Sequence, residues 1–115
     1  MDLATEQRLI CSKYGSPFCE SSIYLKVGFA KNVKDGIWPI NGLRHPLQRD
    51  ASGWYIWAGE ELSSDADFFE PIHIKHLYEL CPIVLKYLGL SPGWRFLLAK
   101  GYEDVWKDVA LLDIE

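Results

Sequence analysis

Leu3, Gln7, Ile10 and Tyr14 fall near one face of a 3.6-residue repeat, with Glu6 and Arg8 off it, which predicts a helix over residues 3–14. Gly15, Ser16 and Pro17 end it, since neither Gly nor Pro propagates a helix. From Tyr24 to Lys31 the period drops to two, predicting a strand with Leu25, Val27 and Phe29 inward. Asp35-Gly36 and Asn41-Gly42 both read as two-residue hairpin turns around Ile37-Trp38-Pro39-Ile40. Pro39 has no N–H for a ladder and confines that piece to an edge or a bulge. Leu43 to Gln48 reads as an irregular strand interrupted by Pro46, and Ser52-Gly53 as a turn.

The densest apolar run follows. Gly53-Trp54-Tyr55-Ile56-Trp57-Ala58-Gly59 is β-branched and aromatic between glycines, so it predicts a strand. Alternation puts Trp54, Ile56 and Ala58 on one face and Tyr55 and Trp57 on the other. Both faces are apolar, so the strand is either central and covered on both sides, or keeps one face for a partner.

Residues 60–70 are acidic and read as a loop, after which Pro71 is placed to open a helix. Ile74, Leu77, Tyr78 and Cys81 form its apolar stripe. Pro82 begins a second short helix over 82–88, with Gly89 as a left-handed cap and Leu90 folding back. Pro92-Gly93 makes a turn, and Trp94–Ala99 and Tyr102–Lys107 form two strands around Lys100-Gly101. These elements describe an α+β single domain over residues 1–115: a mainly antiparallel sheet of about five or six strands, an N-terminal helix and a helical insert.

Composition narrows the function classes. The chain has 115 residues, 49% hydrophobic and 14% aromatic, which suits a folded core rather than disorder. No apolar run approaches the ~18 residues of a membrane span, and the N-terminus lacks the basic-then-apolar order of a secretory signal. Cys11, Cys19 and Cys81 are an odd, sparse set that fits a reducing cytoplasm. Residues 1–57 carry a net charge of +2 and residues 58–115 a net charge of −6. The acidic half argues against nucleic acid as a partner and suits a basic one.

Catalytic signals are sparse. Phosphate loop, nucleophile-elbow serine, paired cysteines and zinc-protease helix are all missing from the sequence. His73 and His76 would share a helix face, with Cys81, Glu79 or Glu70 as a third metal ligand, but a lone pair lacks the ligand count of a site. They fit equally the packed edge of an amphipathic helix. Cys19 and His45 could be cast as nucleophile and base, yet nothing in the sequence places them together. The expectation is a non-enzymatic chain without cofactor or metal.

Longer blocks carry a family resemblance. They are Lys26-Val27-Gly28, residues 32–46 from Asn32 to Pro46, Gly53 to Glu61, Asp67-Phe68-Phe69, and His73-Ile74-Lys75-His76-Leu77, continuing through Cys81-Pro82, Leu85 to Leu90 and Pro92 to Leu97. In this order, over roughly residues 10–112, they resemble the immunity protein thirty-three domain family of bacterial polymorphic toxin systems. The resemblance implies a protein that binds and silences a cognate toxin, and it brings no catalytic residues with it. On those terms the acids Glu60, Glu61, Asp65 and Asp67, with Phe68 and Trp57, are the candidate partner surface: charges set the on-rate and aromatics supply the anchor. The plainer reading is a loop joining strand to helix. The alternative function is a small-ligand or peptide-binding module with an aromatic pocket between the sheet and the 72–88 insert.

Overall fold

Helix α1, Leu3–Tyr14, begins where the Asp2 side chain accepts the Thr5 amide at 2.8 Å, and stops at Gly15, whose left-handed backbone returns its amide to Cys11. The computed structural model describes residues 2–63, 65 and 67–113. After α1 the strands are β1 (Lys26–Ala30), β2 (Ile40–Arg44), β3 (Ala51–Ala58), β4 (Phe69–His73), β5 (Trp94–Ala99) and β6 (Tyr102–Lys107). A short helix α2, Leu77–Leu80, sits between 3-10 turns at Ile74–His76 and Pro82–Tyr87. The sheet is six-stranded, ordered β4-β1-β3-β2-β5-β6, with β1 and β3 parallel and every other pair antiparallel. This is the expected α+β class.

The tryptophan strand is central, and its two faces are finished differently. Trp54, Ile56 and Ala58 share their side with Gly42, Arg44 and Phe96 through the β2 and β5 registers. That side is closed. The Pro82–Tyr87 turn and the segment before it pack there, and α1 lies over them, tied by Gln7 Nε2 to the Leu85 carbonyl at 2.9 Å. Tyr87 stacks on Phe96 with centroids 5.0 Å apart. A Cβ at Gly42 would collide with the Phe96 ring, so only glycine lets that ring lie on the strand.

Several expectations are corrected. Asn41-Gly42 is not a turn but the middle of β2, because Gly42 makes room for Phe96 and the Asn41 side chain bonds the Gly59 carbonyl rather than its own backbone. Ser52-Gly53 lies inside β3, and the turn falls earlier, where Gln48 and Ala51 exchange backbone hydrogen bonds and Arg49 takes a φ of 52°. Asp35-Gly36 closes a 3-10 turn, Lys31–Asp35, instead of a hairpin.

Pro71 does not open a helix. It sits in β4, which pairs only with β1, an edge position where a missing donor costs little. The helical insert starts at Ile74; Ile74, Leu77 and Cys81 are buried as their spacing predicts, while Tyr78 stays exposed. The 82–88 piece is a 3-10 turn closed by right-handed Leu88, and Gly89 is not left-handed. The hairpin of β5 and β6 around Lys100-Gly101 is as expected. Of the expected 60–70 loop, Ser64 and Ala66 lie outside the described residues.

Candidate functional site

The acidic loop leaves the end of β3 from a fixed stem. Asn32 brackets Ala58, donating to its carbonyl at 2.6 Å and accepting its amide at 3.0 Å. Asn41 donates to the Gly59 carbonyl at 2.8 Å, and the Gly59 amide reaches Pro39. Beyond the stem the backbone is held by its own side chains: Ser63 accepts the Asp65 amide and Asp65 accepts the Asp67 amide, both at 3.0 Å. Glu60, Glu61, Asp65 and Asp67 are all exposed, and none forms an ion pair among the described residues. Phe68 is half-buried and meets Phe69 edge-on at 4.9 Å.

The loop borders the second face of the sheet, where Leu43 and Trp57 are buried, Leu62 of the loop lies beside them, and the Val109–Leu112 3-10 turn reaches His45 through the Leu111 carbonyl, while Tyr55 stays partly exposed. On this face Tyr55 is 38% exposed, edge-on to His45 at 5.7 Å and to Phe69 at 5.2 Å. Trp57, expected at the partner surface, is only 3% exposed and stands edge-on to Phe69 at 6.3 Å. A shallow hollow of about 190 Å³ is lined by Leu43, His45, Tyr55, Trp57, Leu62 and Phe69. His45 Nδ1 lies 3.0 Å from the Leu111 carbonyl, which can only accept, so that nitrogen carries the ring proton. Two buried donors here lack an acceptor among the described residues, Trp57 Nε1 and Arg95 Nε, although Arg95 also reaches Asp108 at 3.2 Å. The six sequence-predicted residues therefore gather at one margin: four carboxylates outside, Phe68 at the edge, and Trp57 beneath.

The residues considered for chemistry do not assemble. His73 ends β4 and His76 lies in the next turn, their rings 6.3 Å apart rather than on one helix face. Among the described residues no group of three His, Cys, Asp or Glu is placed to hold a metal. Burial pushes the Cys81 thiol up, away from the thiolate a ligand must be. The Cys19 carbonyl binds Arg44 on the closed side, whereas His45 packs against Tyr55 on the open one.

Two polar residues escape sequence reasoning. Arg44 is fully buried and makes five hydrogen bonds, all to backbone carbonyls: Ser52, Cys19, Leu88, Leu90 and Glu20. Burial pulls its guanidinium pKa down. Glu103 on β6 accepts Tyr14 at 2.5 Å, Lys13 at 2.9 Å and the Tyr87 hydroxyl. Burial alone would raise that carboxyl, but the two tyrosines and Lys13 outweigh it and hold it at about 2. Neither position differs in residue type or spacing from an ordinary surface charge. Beside Glu103 an open groove of about 340 Å³, lined by Trp38, Ile83, Tyr87, Leu98 and Tyr102 among others, lies between the helical insert and the β5–β6 hairpin.

No helix of the described residues is long and apolar enough to cross a membrane. The model of the Imm33-like domain family matches residues 6–108. No curated protein and no solved structure matches the chain.

Proposed function

The chain belongs to the Imm33-like domain family, and from that premise we propose that it is an immunity protein, which binds and neutralises a cognate bacterial toxin by non-covalent contact. The observation that carries the reading is the loop of Glu60, Glu61, Asp65 and Asp67. Its carboxylates are exposed, free of ion pairs among the described residues, and set beside a sheet face on which Tyr55 stays partly exposed. Like charges held together without partners repel, and a basic toxin surface relieves that repulsion while the charges steer its approach. Phe68 adds apolar contact at the rim, and Trp57 supports the surface from beneath. The protein acts in the bacterial cytoplasm as a single domain and inhibits by occupying the toxin rather than by catalysis.

The test is titration calorimetry of this protein against the toxic domain encoded beside it, with growth measured on co-expression. Nanomolar binding and rescued growth are the expected result. Absence of both would overturn the reading.

A second reading has its own observation. The open groove of about 340 Å³ beside Trp38, Tyr87 and Tyr102 offers an aromatic lining of the kind small-molecule sites use. A small-ligand or peptide-binding module would show a saturable rise in melting temperature with its ligand.

A further inference from the structure

We infer that the hollow on the open sheet face is the anchor of the toxin interface, receiving one apolar side chain of the toxin from a patch whose flanking residues are basic. The inference rests on the immunity reading above and locates where its binding energy concentrates. At about 190 Å³ the hollow is smaller than the ~300–1,000 Å³ of small-molecule sites, and it suits a single inserted side chain. Its walls are already ordered. Tyr55 is braced edge-on by His45 and Phe69 though partly exposed, so little rotamer freedom is lost there when a partner arrives. Leu62, 52% exposed on the rim, offers apolar area that the free protein leaves in water.

One further observation decides the partner's chemistry. The adjoining acids Glu60, Glu61, Asp65 and Asp67 make no ion pair among the described residues, so the rim is complementary to Lys and Arg. An apolar centre within a charged rim is the arrangement in which a few central residues dominate affinity.

Calorimetry and stopped-flow association of the neighbouring toxic domain with Tyr55→Ala and Leu62→Ala test this. Each variant's thermal melt serves as the folding control, and exposed Leu62 is the variant least able to disturb the fold. Both are expected to weaken binding at least thirtyfold, through faster dissociation that is insensitive to salt. If the wild type binds and both variants stay within threefold of it, the anchor is wrong while the immunity reading stands. If the wild type does not bind the toxic domain, both fall. A dimer in solution that Tyr55→Ala dissociates would assign the hollow to a second copy of this chain and overturn the inference as well.

Discussion

The side of the sheet carrying Trp54, Ile56 and Phe96 pairs the polar groups it buries, whereas the side carrying Tyr55, Trp57 and Arg95 leaves two buried donors without acceptors among the described residues. On the closed side Trp54 Nε1 reaches Ser21 Oγ and the Leu88 carbonyl at 3.2 Å each, and Arg44 spreads its N–H groups over five carbonyls. One face is thus completed within the chain. The other has packing without completion, next to a loop whose acids form no ion pair among the described residues. Stability should concentrate on the first face and binding on the second, and substitutions can separate them.

The largest effect on folding is expected from Arg44→Met. The methionine replaces the stem's packing but takes the donor from the Ser52, Leu90 and Cys19 carbonyls, whereas Leu88 keeps Ser21 and Trp54 and Glu20 is exposed to water. Stability should fall by about 4 kcal/mol, with each unmet acceptor costing ~1–3 kcal/mol before relaxation. Urea unfolding measures it. A loss below about 1 kcal/mol would mean that the loops around Cys19 and Leu88 do not depend on this residue.

A glycine on each face gives the next comparison. Gly42→Ala drives a Cβ into Phe96, which is held against Tyr87 and Trp54 and has nowhere to go. Gly28→Ala meets the Tyr55 ring at 2.5 Å, but that ring is partly exposed and can swing toward solvent. Overpacking costs of about 3 kcal/mol at Gly42 and about 1 kcal/mol at Gly28 follow. Equal losses in paired urea melts would show Tyr55 to be locked as firmly as Phe96, and the open face would not be open.

Glu103→Gln should cost about 2 kcal/mol at neutral pH, the scale of hydrogen bonds to a charged group. The pH dependence gives the sign. The folded carboxyl titrates near 2, below its ordinary 4.5. Its contribution is therefore complete above about 4.5 and is lost as pH falls toward 2. Melting temperatures of wild type and variant should converge through that window. A constant gap would place the stabilisation in packing rather than in the carboxylate.

How much of this was legible in the sequence depends on what each signal reports. Periodicity located α1, whose face with Gln7 and Ile10 is buried, and the turn residues Pro92-Gly93 and Lys100-Gly101 located the hairpin of β5 and β6. It marked Gly53 to Gly59 as the centre of the fold, but alternation cannot say which apolar face another element covers. Asn41-Gly42 and Pro71 misled for one reason: local turn and helix-start preferences were overruled by neighbours distant in sequence, Phe96 across β2 and β1 beside the edge strand. Arg44 was invisible because its partners are carbonyls, which every residue has. The acids at 60–67 were plain in composition, whereas the burial of Trp57 under their margin required the fold.

The smallest folding effect is expected where the binding effect should be sharpest, in the triple reversal Glu60→Lys, Glu61→Lys and Asp65→Lys. These side chains are exposed and form no ion pair among the described residues, so stability should shift by no more than about 0.5 kcal/mol. Association with the toxic domain should slow at least tenfold at low ionic strength, and the difference should shrink as salt rises, because exposed charges act over roughly a Debye length of ~10 Å at 0.1 M. Dissociation should change less than association, the reverse of the pattern expected at Tyr55 and Leu62. An unchanged association rate would reduce the loop to a connector between β3 and β4. A loss carried by dissociation instead would mean that these carboxylates are desolvated beneath the partner, and that the interface is centred on the loop rather than on the sheet.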